Sequence, residues 1–89
     1  MTTLACELAV GNERGVHGRV ATRLAEIASE FAVELWIHQG EERVECSSIL
    51  DVLALALVQD TEICLQVKGE RAEAALAAAA EVITAHEDP

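Results

Sequence analysis

Aromatic residues are almost missing from this chain: Trp36 and Phe31 make up the whole 2%, and there is no tyrosine. The core must therefore be aliphatic, and hydrophobic residues at 52% are enough to build one. Basic residues are scarce too, 6 against 16 acidic, for a net charge of −10. That balance excludes a general nucleic-acid binder, which needs a basic face to release counterions. It also argues against docking on anionic lipid. No run approaches the roughly 20 apolar residues of a membrane span. The longest, Ile49 to Val58, is broken by Asp51. The N-terminus lacks the basic start and apolar stretch of a signal peptide. The three cysteines, Cys6, Cys46 and Cys64, are odd in number and have no CxxC spacing. A disulfide framework or structural zinc site is not expected. The chain reads as cytoplasmic and reduced, with no metal and no cofactor.

The 89 residues read as one domain, 1–89, with no linker and no internal repeat. Pro89 is the only proline, so glycines do the punctuating. Leu4, Cys6, Leu8 and Val10 alternate with Thr3, Ala5, Glu7 and Ala9, the pattern of a half-buried strand. After a loop at 11–15, Val20, Leu24, Ile27 and Phe31 recur at helical spacing and predict a helix over 18–32. Val33, Leu35 and Ile37 alternate in a second strand, and Gln39-Gly40-Glu41 turns into a third over 43–46. Ser47 or Ser48 can cap a short helix carrying Ile49, Leu50 and Leu53. Thr61 to Val67 alternates again, and Lys68-Gly69-Glu70 reads as a turn. Ala72, Leu76, Ala79 and Ile83 mark a final helix. The order β-α-β-β-α-β-α predicts an α+β open-faced β-sandwich: a four-stranded antiparallel sheet covered on one face by three helices.

The chemistry concentrates in Gly15-Val16-His17-Gly18-Arg19, where a loop becomes a helix. His17 falls at or beside the N-cap. The first-turn N–H groups of Gly18, Arg19 and Val20 have no intrahelical acceptor and offer an anion site at the positive end of the helix dipole. Arg19 adds a charge-assisted donor suited to phosphoryl oxygens. Arg14, Arg19 and Arg23 are opposed only by Glu13 between residues 11 and 23, in an otherwise acidic chain. Such surroundings should keep a ring nitrogen of His17 free as a nucleophile and then stabilise an anion attached to it. The plain alternative is a solvated N-cap histidine.

GVHGRVA, within this element order, resembles the motif of the histidine-containing phosphocarrier protein HPr family of the bacterial sugar phosphotransferase system. The family motif is Gly, an aliphatic residue, His, Thr or Ala, Arg, Pro, then Ala or Ser. A second landmark, a serine before an aliphatic pair, is matched by Ser48-Ile49-Leu50. The resemblance covers nearly the whole chain. It implies that His17 accepts a phosphoryl group from phosphorylated Enzyme I, charged by phosphoenolpyruvate, and passes it to a IIA-type acceptor. It implies that Arg19 lies beside the phosphate. In some lineages the serine matching Ser48 is the target of a regulatory serine kinase. The expected carrier is a monomer and not a self-sufficient enzyme.

Two motif positions depart: Val20 stands for the proline and Gly18 for Thr or Ala. Typical members also carry lysines along the first helix and just after the serine, where this chain has Glu26 and Asp51. A reversed charge on a docking face penalises a standard acidic partner. A regulatory paralogue in a specialised phosphotransfer or signalling route is therefore the alternative, and a small anion-sensing domain is a third. Ser48 reads most simply as a helix cap, because Glu45 and Asp51 would repel an added phosphate. Ile49, Leu50 and Leu53 cannot all point inward from one short helix, so one or two can form a partner patch. Trp36 and Cys64 alternate outward, which places Trp36 on the open face of the sheet. His38 and His86 read as solvated.

Overall fold

A computed structural model describes residues 2–89. The elements follow in the order β1 (Thr2–Ala9), α1 (Gly18–Glu30), β2 (Glu34–Gln39), β3 (Glu42–Glu45), α2 (Ile49–Ala54), β4 (Glu62–Gly69) and α3 (Ala72–Thr84). The strands form one sheet ordered β1-β4-β2-β3, with every pair antiparallel. This is the open-faced α+β arrangement that the alternating patterns predict.

The register shows why one face is wet and the other dry. Leu4, Cys6 and Leu8 lie opposite Val67, Leu65 and Ile63. Leu35 and Ile37 meet Val67 and Leu65 from the other side of β4. Side chains of one parity therefore share one face. That face is covered by α3 over β1 and β4, by α1 against α3, and by α2 beside β3. Leu24, Ile27, Leu35, Ile37, Leu65 and Ile83 are fully buried between the layers. Each contributes about 1.5–3 kcal/mol by leaving water. The opposite parity carries Glu7, Glu34, Trp36, His38, Cys64 and Gln66. On that open face Trp36 is half-buried, with the Arg43 guanidinium 3.9 Å above its ring.

Several boundaries shift from the sequence reading. Helix α1 stops at Glu30 rather than at residue 32, with Phe31 as its C-cap and Ala32 in the left-handed region at φ 53°. Val33 then donates its N–H to the Ala28 carbonyl instead of joining β2. Lys68 and Gly69 belong to β4, so the turn begins only at Glu70. The cause is tertiary: Thr2 and Thr3 pair with Gly69 and Lys68 and prolong the ladder. His38 is not simply solvated; its Nε2 lies 2.8 Å from the Gln66 Oε1 on the neighbouring strand. His86 is exposed, but its Nδ1 reaches the Gly11 carbonyl at 3.1 Å. The three cysteines are free. Burial, then the nearby Glu45 carboxylate, pushes the Cys46 thiol up to about 12, which makes it a packing residue rather than a reactive one.

No described helix is long and apolar enough to cross a membrane.

Candidate functional site

The loop before α1 is held from both sides. Val16 is buried and donates its N–H to the Leu57 carbonyl at 2.9 Å. Gly15 has φ 71°, and a Cβ there would collide with that same carbonyl. Glycine is therefore required for the loop to approach the 55–61 segment. At the other end of the loop, Gly11 donates to the Ile83 carbonyl at 2.9 Å, and a Cβ on it would strike the Thr84 carbonyl. This close approach brings the end of α3 against the loop. The chain after α3 then turns back toward the start of α1.

His17 is the N-cap of α1, with extended backbone at φ −94° and ψ −174°. Its carbonyl accepts the first helical bond, from Ala21 at 2.9 Å. Its ring Nδ1 accepts the Arg19 backbone N–H at 3.3 Å, so the side chain caps the helix it begins. No acidic residue lies in the first turn. Gly18 and Arg19 are exposed there, and nothing would obstruct a Cβ at Gly18. Val20 is 2% exposed. Where the family motif has a proline, this chain uses a valine as a core residue.

The other ring nitrogen has a partner that the sequence gives no sign of. His17 Nε2 lies 2.7 Å from Asp88 Oδ1. The same oxygen accepts from the Asn12 Nδ2 at 2.7 Å. Asp88 Oδ2 faces the Arg14 guanidinium at 3.5 Å and that of Arg19 at 3.7 Å. Asn12 is itself buried, and its Oδ1 accepts the Arg14 backbone N–H at 2.7 Å. The Asn12 hydrogen bond first, then the His17 bond and the arginine beside it, hold the Asp88 carboxyl below the usual carboxylate range.

This cluster fixes the tautomer. An ionised carboxylate only accepts, so Nε2 must carry the proton. A backbone N–H only donates, so Nδ1 must present its lone pair. Both neighbours demand the same neutral ring, with Nδ1 directed at the helix N-terminus. The ring is open enough to react, its side chain being 20% exposed.

Arg19 reaches the site by two routes. Its backbone N–H reaches Nδ1, whereas its guanidinium is directed to Asp88. Arg23 lies one turn on and is paired with Glu30 at 3.0 Å and Glu26 at 3.6 Å. The basic patch read from residues 11–23 is also partly neutralised, because Asp88 folds into it. Ser48 is the N-cap of α2 by position, yet its side chain makes no capping bond. The Ser48 backbone N–H donates to the Glu45 carbonyl at 3.0 Å, and Asp51 stands in the first turn. Leu50 is 78% exposed and Val58 66%, while Ile49 and Leu53 are half-buried. Among the described residues, no His, Cys, Asp and Glu cluster could hold a metal ion.

Asn12 and Asp88 are the two site residues absent from the sequence reading. Asn12 carried a weak signal as a polar loop former. Asp88 carried none, since it stands 71 residues from His17 in a short acidic tail.

A family model described as PTS-HPr, the PTS HPr component phosphorylation site, matches residues 4–85. The chain is 40% identical over 88 residues to the phosphocarrier protein NPr of Shewanella violacea, covering 99% of this chain and 97% of that protein. It is 29% identical over 75 residues to the phosphocarrier protein HPr of Neisseria meningitidis, covering 84% of each. The fold superposes on the crystal structure of a phosphocarrier protein HPr from Bacillus anthracis with a TM-score of 0.85, covering 93% of this chain and 99% of that one at 24% identity.

Proposed function

The chain belongs to the HPr family of phosphocarriers of the phosphotransferase system, and from that premise we propose that it accepts a phosphoryl group on His17 from an Enzyme I-type donor and passes it to a IIA-type acceptor. The observation that carries this reading is the N-cap imidazole whose Nδ1 faces the start of α1. A phosphoryl group bonded there would lie among the free N–H groups of the first turn. Its charge would meet the positive end of the helix. Arg19 then has two uses: its N–H serves the phosphoryl oxygens, and its guanidinium adds charge nearby. The relay needs no substrate pocket, because donor and acceptor bring their own sites.

Docking falls to the surface around His17. Among the described residues, Leu50 and Val58 are the large hydrophobics that stand in solvent, and such apolar side chains suit a transient partner. Ser48 directly precedes Ile49 and Leu50 at the start of α2. Its acidic neighbours weigh against a kinase acting on it.

A specialised route is favoured over general sugar transport by two observations. Glu26 and Asp51 are exposed where typical members have lysines. The 40% identical relative also bears the name NPr, whereas the 29% identical relative bears the name HPr. Like charges across a docking surface reject a partner more than they weaken a correct one.

Incubation with phosphoenolpyruvate and a panel of Enzyme I proteins, read by intact mass, tests both readings. The expected product carries one acid-labile phosphoryl group on His17, from some donors far better than others. Acid-stable phosphate on Ser48 alone, or no transfer from any donor, would overturn the relay. Equal transfer from every donor would overturn the specialised route.

A further inference from the structure

We propose that Asp88 is a positioning residue for phosphoryl exchange: its carboxylate keeps a proton on Nε2 of His17 before, during and after the phosphoryl group is bound to Nδ1. The proposal rests on the relay reading for its reaction and on the geometry for the residue. The contact is short, 2.7 Å, between a ring nitrogen and an oxygen that also accepts from buried Asn12. Asn12 fixes the carboxylate, and the carboxylate fixes the ring. The return of the chain past Gly11 sets all three in place.

The proton matters because of what leaves when the phosphoryl group moves on. In the accepting step, the Nδ1 lone pair forms the N–P bond while the donor's bond to phosphorus breaks, and the donor keeps that electron pair. The Nε2 proton does not move. The ring becomes a phosphoimidazolium, whose positive charge faces Asp88. In the passing step, the N–P pair returns to Nδ1 as the acceptor's nucleophile bonds to phosphorus. The leaving group is then a neutral imidazole. Without the proton it would be an imidazolate, a far poorer leaving group. A carboxylate in contact with Nε2 favours the cationic ring, as an opposite charge within about 4–6 Å does.

The other charged groups around the pair act in both directions. Arg14 and Arg19 face the second carboxylate oxygen from the loop and from α1. Arg23, Glu81 and Glu87 line the adjoining groove with Asp88. The arginines moderate the effect of Asp88 on the ring.

The test uses the full chain and Asp88→Ala, Asp88→Asn and Asp88→Glu. Potassium phosphoramidate supplies the phosphoryl group to His17 without any protein partner. The ring ¹⁵N signals of each phosphorylated form are then followed against pH. The midpoint of the Nε2 titration should fall by about one unit in the Ala and Asn variants, and Glu should restore most of it. Transfer to an acceptor at a pH above both midpoints should fall about tenfold in step with the midpoint. Asn retains a hydrogen-bond acceptor, so a loss shared by Asn and Ala identifies the charge rather than the fold. Midpoints that agree across all four proteins would overturn the proposal. A protein that no Enzyme I phosphorylates would refute the relay, while the chemically phosphorylated ring would still report on Asp88.

Discussion

Helices α1 and α2 each begin at a polar cap residue, and only one of those starts is equipped for an anion. At α1 the cap is His17, whose ring bonds the helix N–H of Arg19, and the first turn holds no acid. At α2 the cap is Ser48, whose hydroxyl makes no capping bond, and Asp51 already occupies the first turn. The longer helix runs 13 residues and the shorter 6. Unpaired N–H groups occur at every helix start. What differs is whether a side chain and its surroundings leave room and charge for a ligand. Asp51 meets the positive end of α2 from within the chain, so a phosphate there would find its place contested. The first turn of α1 keeps its positive end for something that arrives.

The sharpest way to break that comparison is to exchange the two caps' roles. His17→Ala should abolish acid-labile phosphorylation, whereas Ser48→Ala should leave it intact, as read by intact mass after incubation with a competent donor. Residual acid-labile phosphate in the His17 variant would show that the α1 site is not the acceptor.

Arg19 comes next in size. A charge-assisted hydrogen bond contributes about 1.5–3 kcal/mol, but the Arg19 side chain is 73% exposed, and solvent screening lowers its share. Arg19→Ala should therefore slow transfer by about tenfold. Arg19→Lys should recover part of the loss, because an ammonium lacks the planar fork. Arg23→Ala should cost less, since Arg23 is already held by Glu30 and Glu26. Rapid-quench transfer rates decide the order, and equal rates for wild type and Arg19→Ala would leave the helix end alone with the phosphate.

Acid separates the two starts in a different way. The Asp88 carboxyl is held below its ordinary value of 3.8 by Asn12 and His17. A depressed carboxyl contributes stability that is whole above the ordinary value and is lost as pH falls through the lowered one. Segment 85–89 should thus stay docked from neutrality to about pH 4 and release below it. Amide chemical shifts of 85–89 should move together over that window. Segment signals that stay constant down to about pH 2, below the usual carboxylate range, would show that the carboxylate does not hold the tail.

The smallest effect belongs to Ser48. A bonded serine cap contributes about 1 kcal/mol, but this hydroxyl makes no such bond. Ser48→Ala should change stability by less than about 0.5 kcal/mol in urea unfolding. A loss near 1 kcal/mol would show that the hydroxyl caps α2 after all.

Much of this molecule was legible along the chain. Alternation in β1, β2 and β4 gave the sheet and its dry face, because side chains on a strand simply take turns. The loop-to-helix switch placed His17 at a cap, and the arginines near it marked the same place. The ends of elements were less legible. Helix α1 stops early because Ala32 takes a left-handed turn, and β4 runs on because β1 is there to pair with it. Ser48 was rightly placed but wrongly credited with a capping bond, since position alone does not decide where a hydroxyl points.

By itself, then, the sequence determined the sheet, its wet and dry faces, and a histidine at the mouth of a helix. These rest on spacing between near neighbours, which local geometry enforces. Only the tertiary structure decided which ring nitrogen is free. That depends on Asp88, carried back across 71 positions by the close contact of Gly11 with the end of α3. No periodicity links a tail carboxylate to a loop imidazole. Their meeting is fixed by how α3 packs on β1 and β4, and that packing is a property of the whole core.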